Sequence, residues 1–252
     1  MISTLGLALL TLCAAPQDPD VPSADTVKAT VEAVEEALAK GTPEDRIEAL
    51  ANASSVPDAA VAKAVAKALR NKEASVQTAA LQSLRFMRHP EALAALHSCY
   101  KSNKSLAKDE ALSGVLLKAI GQHADPSSIK VLADSPFSTV NNGAIRARLL
   151  GLGNIRDKQS VEELMALMKK VSRRKIEPFM GEFRLAMLRL TGHDEGRSVD
   201  LWMKWWNNNK RELEVAKVAP KMPRRDQENW DDYWGNDTRQ ERSRKRGDRG
   251  GD

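Results

Sequence analysis

Four histidines, two cysteines and a few adjacent carboxylates are the residues of this 252-residue chain best equipped for chemistry. His89, His123 and His193 each fall at or beside a turn between two helical stretches. That placement invites a ladder of metal-binding imidazoles. Packed helices stand about 8–10 Å apart, whereas zinc holds nitrogen at about 2 Å, so equivalent positions in successive units are too distant to share an ion. The three histidines read instead as polar turn residues that satisfy helix ends. His97 and Cys99 are two apart on a helix and point to different sides, and Cys99 reads as a small buried residue. Glu162–Glu163 and Asp194–Glu195 fall on solvent faces or turns, where nothing perturbs them into an acid/base couple. There is no Gly-x-Ser-x-Gly elbow, no Gly-rich phosphate loop ending in Lys-Ser/Thr and no Cys-x-x-Cys. A non-enzymatic chain follows as the expectation, with no catalytic residue, metal, cofactor or small-molecule substrate.

Binding residues are easier to find. Over 144–175 nine cations, Arg146, Arg148, Arg156, Lys158, Lys169, Lys170, Arg173, Arg174 and Lys175, face three carboxylates, a local charge of +6 within a chain of +5. Such a patch suits an anionic partner. The tail run 242-RSRKR-246 has the same sign. Two aromatic groups stand out. Trp202, Trp205 and Trp206 read as a cap on the last helical unit, or as an exposed platform. Trp230, Tyr233 and Trp234 lie in a polar segment that otherwise lacks aliphatics, and read as a short motif that docks on a partner or folds back on the chain's own helices. The expected partner-binding residues are therefore Arg146, Arg148, Lys169, Lys170, Arg173, Arg174, Trp230, Tyr233 and Trp234.

The elements that must position these residues repeat. Pro57, Pro90, Pro126 and Lys158 hold the same place in four successive helical hairpins, a period of about 33 residues, which marks stacked units that each lack a core until they meet a neighbour. A lone helix over 25–40, with Val27, Val31, Val34 and Leu38 at helical spacing and Gly41 as its stop, precedes them. The hairpins are expected at 42–71, 73–102, 106–134, 144–171 and 177–215. Thr42-Pro43-Glu44-Asp45 opens the first, with Thr42 accepting from the amide of residue 45. Its buried stripe is read as Ile47, Leu50, Ala51 and Ser54. Gly151 and Gly153 sit inside a helix that each weakens by about 1 kcal/mol relative to Ala, so they imply close helix approach. Residues 135–143 are the longest internal interruption and read as a loop.

Laid out in this way, the chain resembles the HEAT-repeat family. The residues that carry the likeness are 147-ARLLGLGNIRDKQSVEELMALM-168 above all, with weaker copies at 81–96 and 116–134. The end, 190-LTGHDEGRSVDLWMKWWNNNK-210, is similar to the Trp-rich closing unit of exported bacterial HEAT-repeat proteins. The resemblance covers about 42–215 and implies an all-α fold, an α-solenoid of about five hairpins, whose family role is mostly protein–protein interaction. The first hairpin departs from the pattern at Ser54 and Ser55.

The two ends differ from the middle. Residues 1–15 carry no charge and an apolar run from Leu5 to Leu12, too short to span a bilayer but of signal-peptide length. Leu12 before Cys13 is bulky for lipoprotein processing. Residues 16–24 read as a linker and 216–252 as a disordered charged tail. With the leader removed Cys99 stands alone, so packing rather than disulfides holds the fold. The expectation is an exported, monomeric scaffold in the periplasm or envelope, without a membrane span, that binds an unidentified protein on a concave face formed by the second helices. The alternative is a nucleic-acid or anionic-polymer binder using 144–175 and the Arg-rich tail.

Overall fold

A computed structural model describes residues 21–235. The leader and the RSRKR run lie outside the described residues, as does most of the linker. Among the described residues every regular element is helical, and no helix is long and apolar enough to cross a membrane.

Caps written into the sequence set most boundaries. The first helix, α1 (Ala24–Lys40), starts at Ser23, whose hydroxyl accepts from the Thr26 amide at 3.1 Å. It stops at Gly41, where a Cβ would meet the Ala37 carbonyl at 2.7 Å. Thr42 then accepts from the Asp45 amide at 3.2 Å while Asp45 accepts from the Thr42 amide at 2.9 Å, a capping box that starts α2 (Pro43–Ala53). Asp58 caps α3 (Ala59–Lys67), and α4 spans Ala74–Phe86. His89 caps α5 (Pro90–Ser102) and Asp157 caps α10 (Lys158–Lys170), each followed by its first-turn residue. Pro126 opens a 3-10 turn before the short α8 (Ile129–Ala133).

Several boundaries depart from expectation. The helix expected over 106–122 is two, α6 (Lys104–Lys108) and α7 (Leu112–Gln122). Asp109 breaks it, because its carboxylate accepts from the amides of Ala111 and Leu112, both at 2.8 Å, and so starts a new helix. In α2 the buried residues are Leu50 and Ala53, not Ala51, which is exposed. The hairpin expected over 144–171 begins two residues earlier, with α9 (Asn142–Asn154). Residues 173–191 divide into α11 (Arg173–Ile176) and α12 (Met180–Thr191), and α13 (Val199–Asn209) ends six residues before the expected limit of 215.

The helices pack in a consistent order. First helices form one row: α2 on α4, α4 on α7, α7 on α9 and α9 on α12. Second helices stand behind, with α1 and α5 on α3 and α8 and α13 on α10. One continuous apolar core runs between the rows, from Val34 through Leu84, Leu116 and Leu152 to Trp202. The centre of the row is its tightest place. A Cβ on Gly121 of α7 would lie 2.8 Å from the Gly151 Cα of α9, and a Cβ on Gly153 would lie 2.7 Å from the Ala186 Cα of α12. Gly151 and Gly153 thus do permit close approach, on opposite sides of α9.

The tail is a correction. Within the segment expected to be disordered, α14 (Arg224–Trp234) forms and buries Trp230 and Trp234. These join Leu150, Leu188 and Met222 in a second, smaller apolar cluster. The segment has too few apolar residues to fold alone, but it borrows a floor from α9 and α12.

Candidate interaction surfaces

Helix α14 crosses the row of first helices. At its start, Asp226 receives two guanidinium N–H bonds from Arg184 of α12, at 2.7 and 2.9 Å. At its end, the Trp234 carbonyl accepts from Arg85 of α4 at 2.6 Å. Between these anchors the side chains fit the close-approach glycines. The Trp234 ring edge lies 3.1 Å from where a Gly121 Cβ would be, and the Trp230 ring edge 3.3 Å from that of Gly153. Glycine at these two positions therefore serves two contacts at once, helix on helix and indole on helix.

The seat is cationic around an apolar floor. Arg189 lies 5.5 Å from the Trp230 ring centre and Lys118 4.4 Å from that of Tyr233. Desolvation, helped by the Arg85 charge, lowers the Lys118 ammonium to about 8. Burial pushes the Tyr233 phenol well above its ordinary value. Hydrogen bonds to the carboxylates of Asp226 first, and Asp194 second, raise the Arg184 guanidinium further. Acidic residues of α14 thus face basic residues of the row, and aromatic rings face small residues.

Of the expected partner-binding residues, Trp230, Tyr233 and Trp234 come together, but turned inward on the chain's own helices. Arg148 is a second correction: it is 8% exposed. Its guanidinium donates to the carbonyls of Val131 and Leu132 and, at 2.8 Å, to the Tyr100 hydroxyl. Those carbonyls belong to the end of the short α8, which no longer continuous helix satisfies. Arg148 holds α5, α8 and α9 together and offers nothing to a partner. Arg146 is exposed but pairs with Glu182 at 2.7 Å, and Arg173 pairs with Asp200. Lys169, Lys170 and Arg174 are exposed. Arg156 bonds the carbonyls of Ala216 at 2.6 Å and Arg189 at 2.8 Å, tying the segment before α14 to α12. Of the nine cations of the stretch, Arg146, Arg148, Arg156 and Arg173 are engaged within the chain, while Lys169, Lys170, Arg174 and Lys175 stay exposed.

The turn histidines act on helix ends, as expected for two of them. His89 Nδ1 accepts from the Glu91 amide at 3.1 Å, and His123 Nε2 pairs with the Leu84 carbonyl at 2.9 Å. His193 does something else: it stacks on Trp205 with ring centres 5.0 Å apart and bonds Glu195 at 2.8 Å. Trp202 is fully buried and donates to the Gly196 carbonyl at 3.0 Å. Cys99 is buried, and desolvation pushes its thiol up to about 11. Among the described residues no group of three His, Cys, Asp or Glu is placed to hold a metal ion.

The second helices keep outward rows exposed: Lys63 and Lys67 on α3, Ser98 and Ser102 on α5, Lys130 on α8, Glu162 and Lys169 on α10. A groove of about 390 Å³ lies between α3 and α5, lined by Lys67, Arg70, Ser98 and Ser102. Another of about 370 Å³ lies between the α8 end and α10, lined by Phe137, Glu163, Ala166 and Lys170. The signal that sequence reading missed is the set Arg85, Lys118, Gly121, Arg184 and Arg189, which builds the seat of α14. Gly121 alone was visible as a glycine inside a helix. The sequence matches no protein-family model, and a search of curated proteins finds no similar chain.

Proposed function

We propose that this chain is a HEAT-like α-solenoid that works as a non-enzymatic scaffold, exported to the periplasm or envelope, and that it holds a partner protein on the face of its second helices. The observation that carries this reading is the asymmetry between the two rows. The first-helix row is crossed by the chain's own α14. The second-helix row keeps mixed, exposed side chains and shallow grooves between successive units. Stacked hairpins with one row open are the arrangement that repeat proteins use for extended recognition. The anionic-polymer alternative is less favoured, since Arg146, Arg148, Arg156 and Arg173 are already engaged within the chain.

A photo-crosslinking amino acid placed at Ser98 or at Lys130 is expected to capture the same discrete protein in cells, while the same group at Glu48, on a first helix, captures none. Equal capture at all three positions, or none at any, overturns the scaffold reading. Export is tested separately by sequencing the N-terminus of the cellular protein: a chain that keeps Met1 is not processed as proposed.

A further inference from the structure

A cavity of about 680 Å³ opens beyond the C-terminal end of α14, between the 86–90 turn and the 122–127 turn. One wall is apolar, with Phe86, Pro90, Leu93 and Ala94. Phe86 is 48% exposed, an unusual state for a large ring, and the Arg85 guanidinium lies 4.6 Å from its centre. The rest of the lining is rich in nitrogen: Arg88, His89, His97 and His123, with Arg85 on the α14 side. Arg85 is committed, since it bonds Gln122 and Trp234. Arg88 is not. It is exposed and forms no hydrogen bond or ion pair with another described residue. His89 uses Nδ1 to accept from the Glu91 amide. With Nδ1 accepting, the ring proton sits on Nε2, a donor with no partner among the described residues. The single carboxylate in the lining is Asp125, which accepts from the Ser127 amide at 2.8 Å.

The charge balance says what fits. Beside this cavity Arg85 holds the Trp234 carbonyl, and further along the same row, at α12, Arg184 holds Asp226 and Gly153 faces Trp230, so the row already receives acidic and aromatic residues on cations and small residues. The segment after Gly235 is no such match, because 242-RSRKR-246 has the sign of Arg88. Building on the scaffold reading, we propose that the cavity docks an acidic segment of the partner protein with an aromatic residue beside its carboxylates. The ring packs on Phe86 and Leu93, and the carboxylates are held by Arg88 and His89. Recognition of this kind rests on a few anchors, an aromatic contact and a charge-assisted pair, rather than on area.

The test uses the full chain and a fluorescein-labelled peptide of alternating aspartate and phenylalanine, followed by anisotropy. Saturable binding that falls with added salt is expected. Arg88→Glu and Phe86→Ala should each weaken it about tenfold, a loss of roughly 1.4 kcal/mol. Both residues are exposed, so helical circular dichroism should be unchanged. A matched peptide with lysine for aspartate should not bind. Absent or non-saturable binding, or binding indifferent to Arg88→Glu, overturns the proposal. So does full competition by inorganic phosphate with no effect of Phe86→Ala, which would make the cavity a simple anion site. Self-association of the free protein that Arg88→Glu abolishes would give the cavity to a second copy, and overturn it equally. Crosslinks from Ser98 and Lys130 read the second-helix face independently, so a failure here leaves that result interpretable.

Discussion

Arg85 donates to the carbonyl of Trp234, a residue 149 positions later, at 2.6 Å. The bond ties the second hairpin to the end of α14, and Arg184 ties the fifth to its beginning. Everything α14 does follows from being held at both ends over a row of first helices.

Its tryptophans should dominate its attachment. Truncating a buried tryptophan costs about 3–5 kcal/mol, so Trp230→Ala should release α14, with loss of tail protection in hydrogen exchange. Trp234 differs because its indole N–H is buried without a partner among the described residues. Trp234→Phe removes that orphan donor, a penalty of about 1–3 kcal/mol, and should offset most of the lost volume. Chemical denaturation should therefore place Trp234→Phe within about 1 kcal/mol of the parent, and Trp234→Ala well below it.

Lys118 predicts a pH dependence. Its folded value is about 8, against about 10.4 for a free lysine. Between these limits the unfolded chain binds more protons, so stability should rise as pH increases from about 8 towards about 10. Tyr233 works the other way above about 10, because its phenol is harder to ionise when folded. Lys118→Met should flatten the rise in denaturation midpoints measured across the lower window. A rise of the same size in that variant would assign the effect elsewhere.

Two glycines give opposite expectations. At Gly153 a Cβ would stand 2.7 Å from the Ala186 backbone and side chain. Gly153→Ala should destabilise by about 1–3 kcal/mol through overpacking. At Gly181, in α12, a Cβ meets only the end of the Arg197 side chain at 3.5 Å. Gly181→Ala should be neutral or stabilise by up to about 1 kcal/mol. Thermal melts should show Gly153→Ala unfolding earlier than the parent and Gly181→Ala at or above it.

Arg148 should behave as a structural residue. Arg148→Met keeps much of the stem but abandons the carbonyls of Val131 and Leu132. A loss of about 1–3 kcal/mol is expected, read as earlier unfolding, with crosslinking at Ser98 and Lys130 unchanged in the folded protein.

The caps were legible in the sequence because they are local. Thr42 and Asp45, Asp157, and the Pro after His89 act within three residues, and each sits where spacing puts it. The Asp109 break was not legible, since the same aspartate could equally have sat on an exposed helical face. Arg148 could have been found: Ala144, Arg148 and Gly151 follow one face of α9, and a cation on a buried face needs carbonyls rather than a partner. Helix α14 was beyond reach of composition. Its own residues are mostly polar, and its stability resides in Gly121, Gly153, Leu150 and Arg184, which lie at least 46 positions before Trp230; Gly121 and Gly153 hold the same place in successive hairpins, but nothing in α14 repeats with them.

A row of hairpins in which each touches only its neighbours behaves like a one-dimensional chain of coupled units, free to fray from either end. A helix anchored on α4 and on α12 at once breaks that independence, since opening any unit between them must strain or detach it. The consequence is a middle section that melts as one cooperative block, with the first hairpin and α1 left outside it as the section that loosens first.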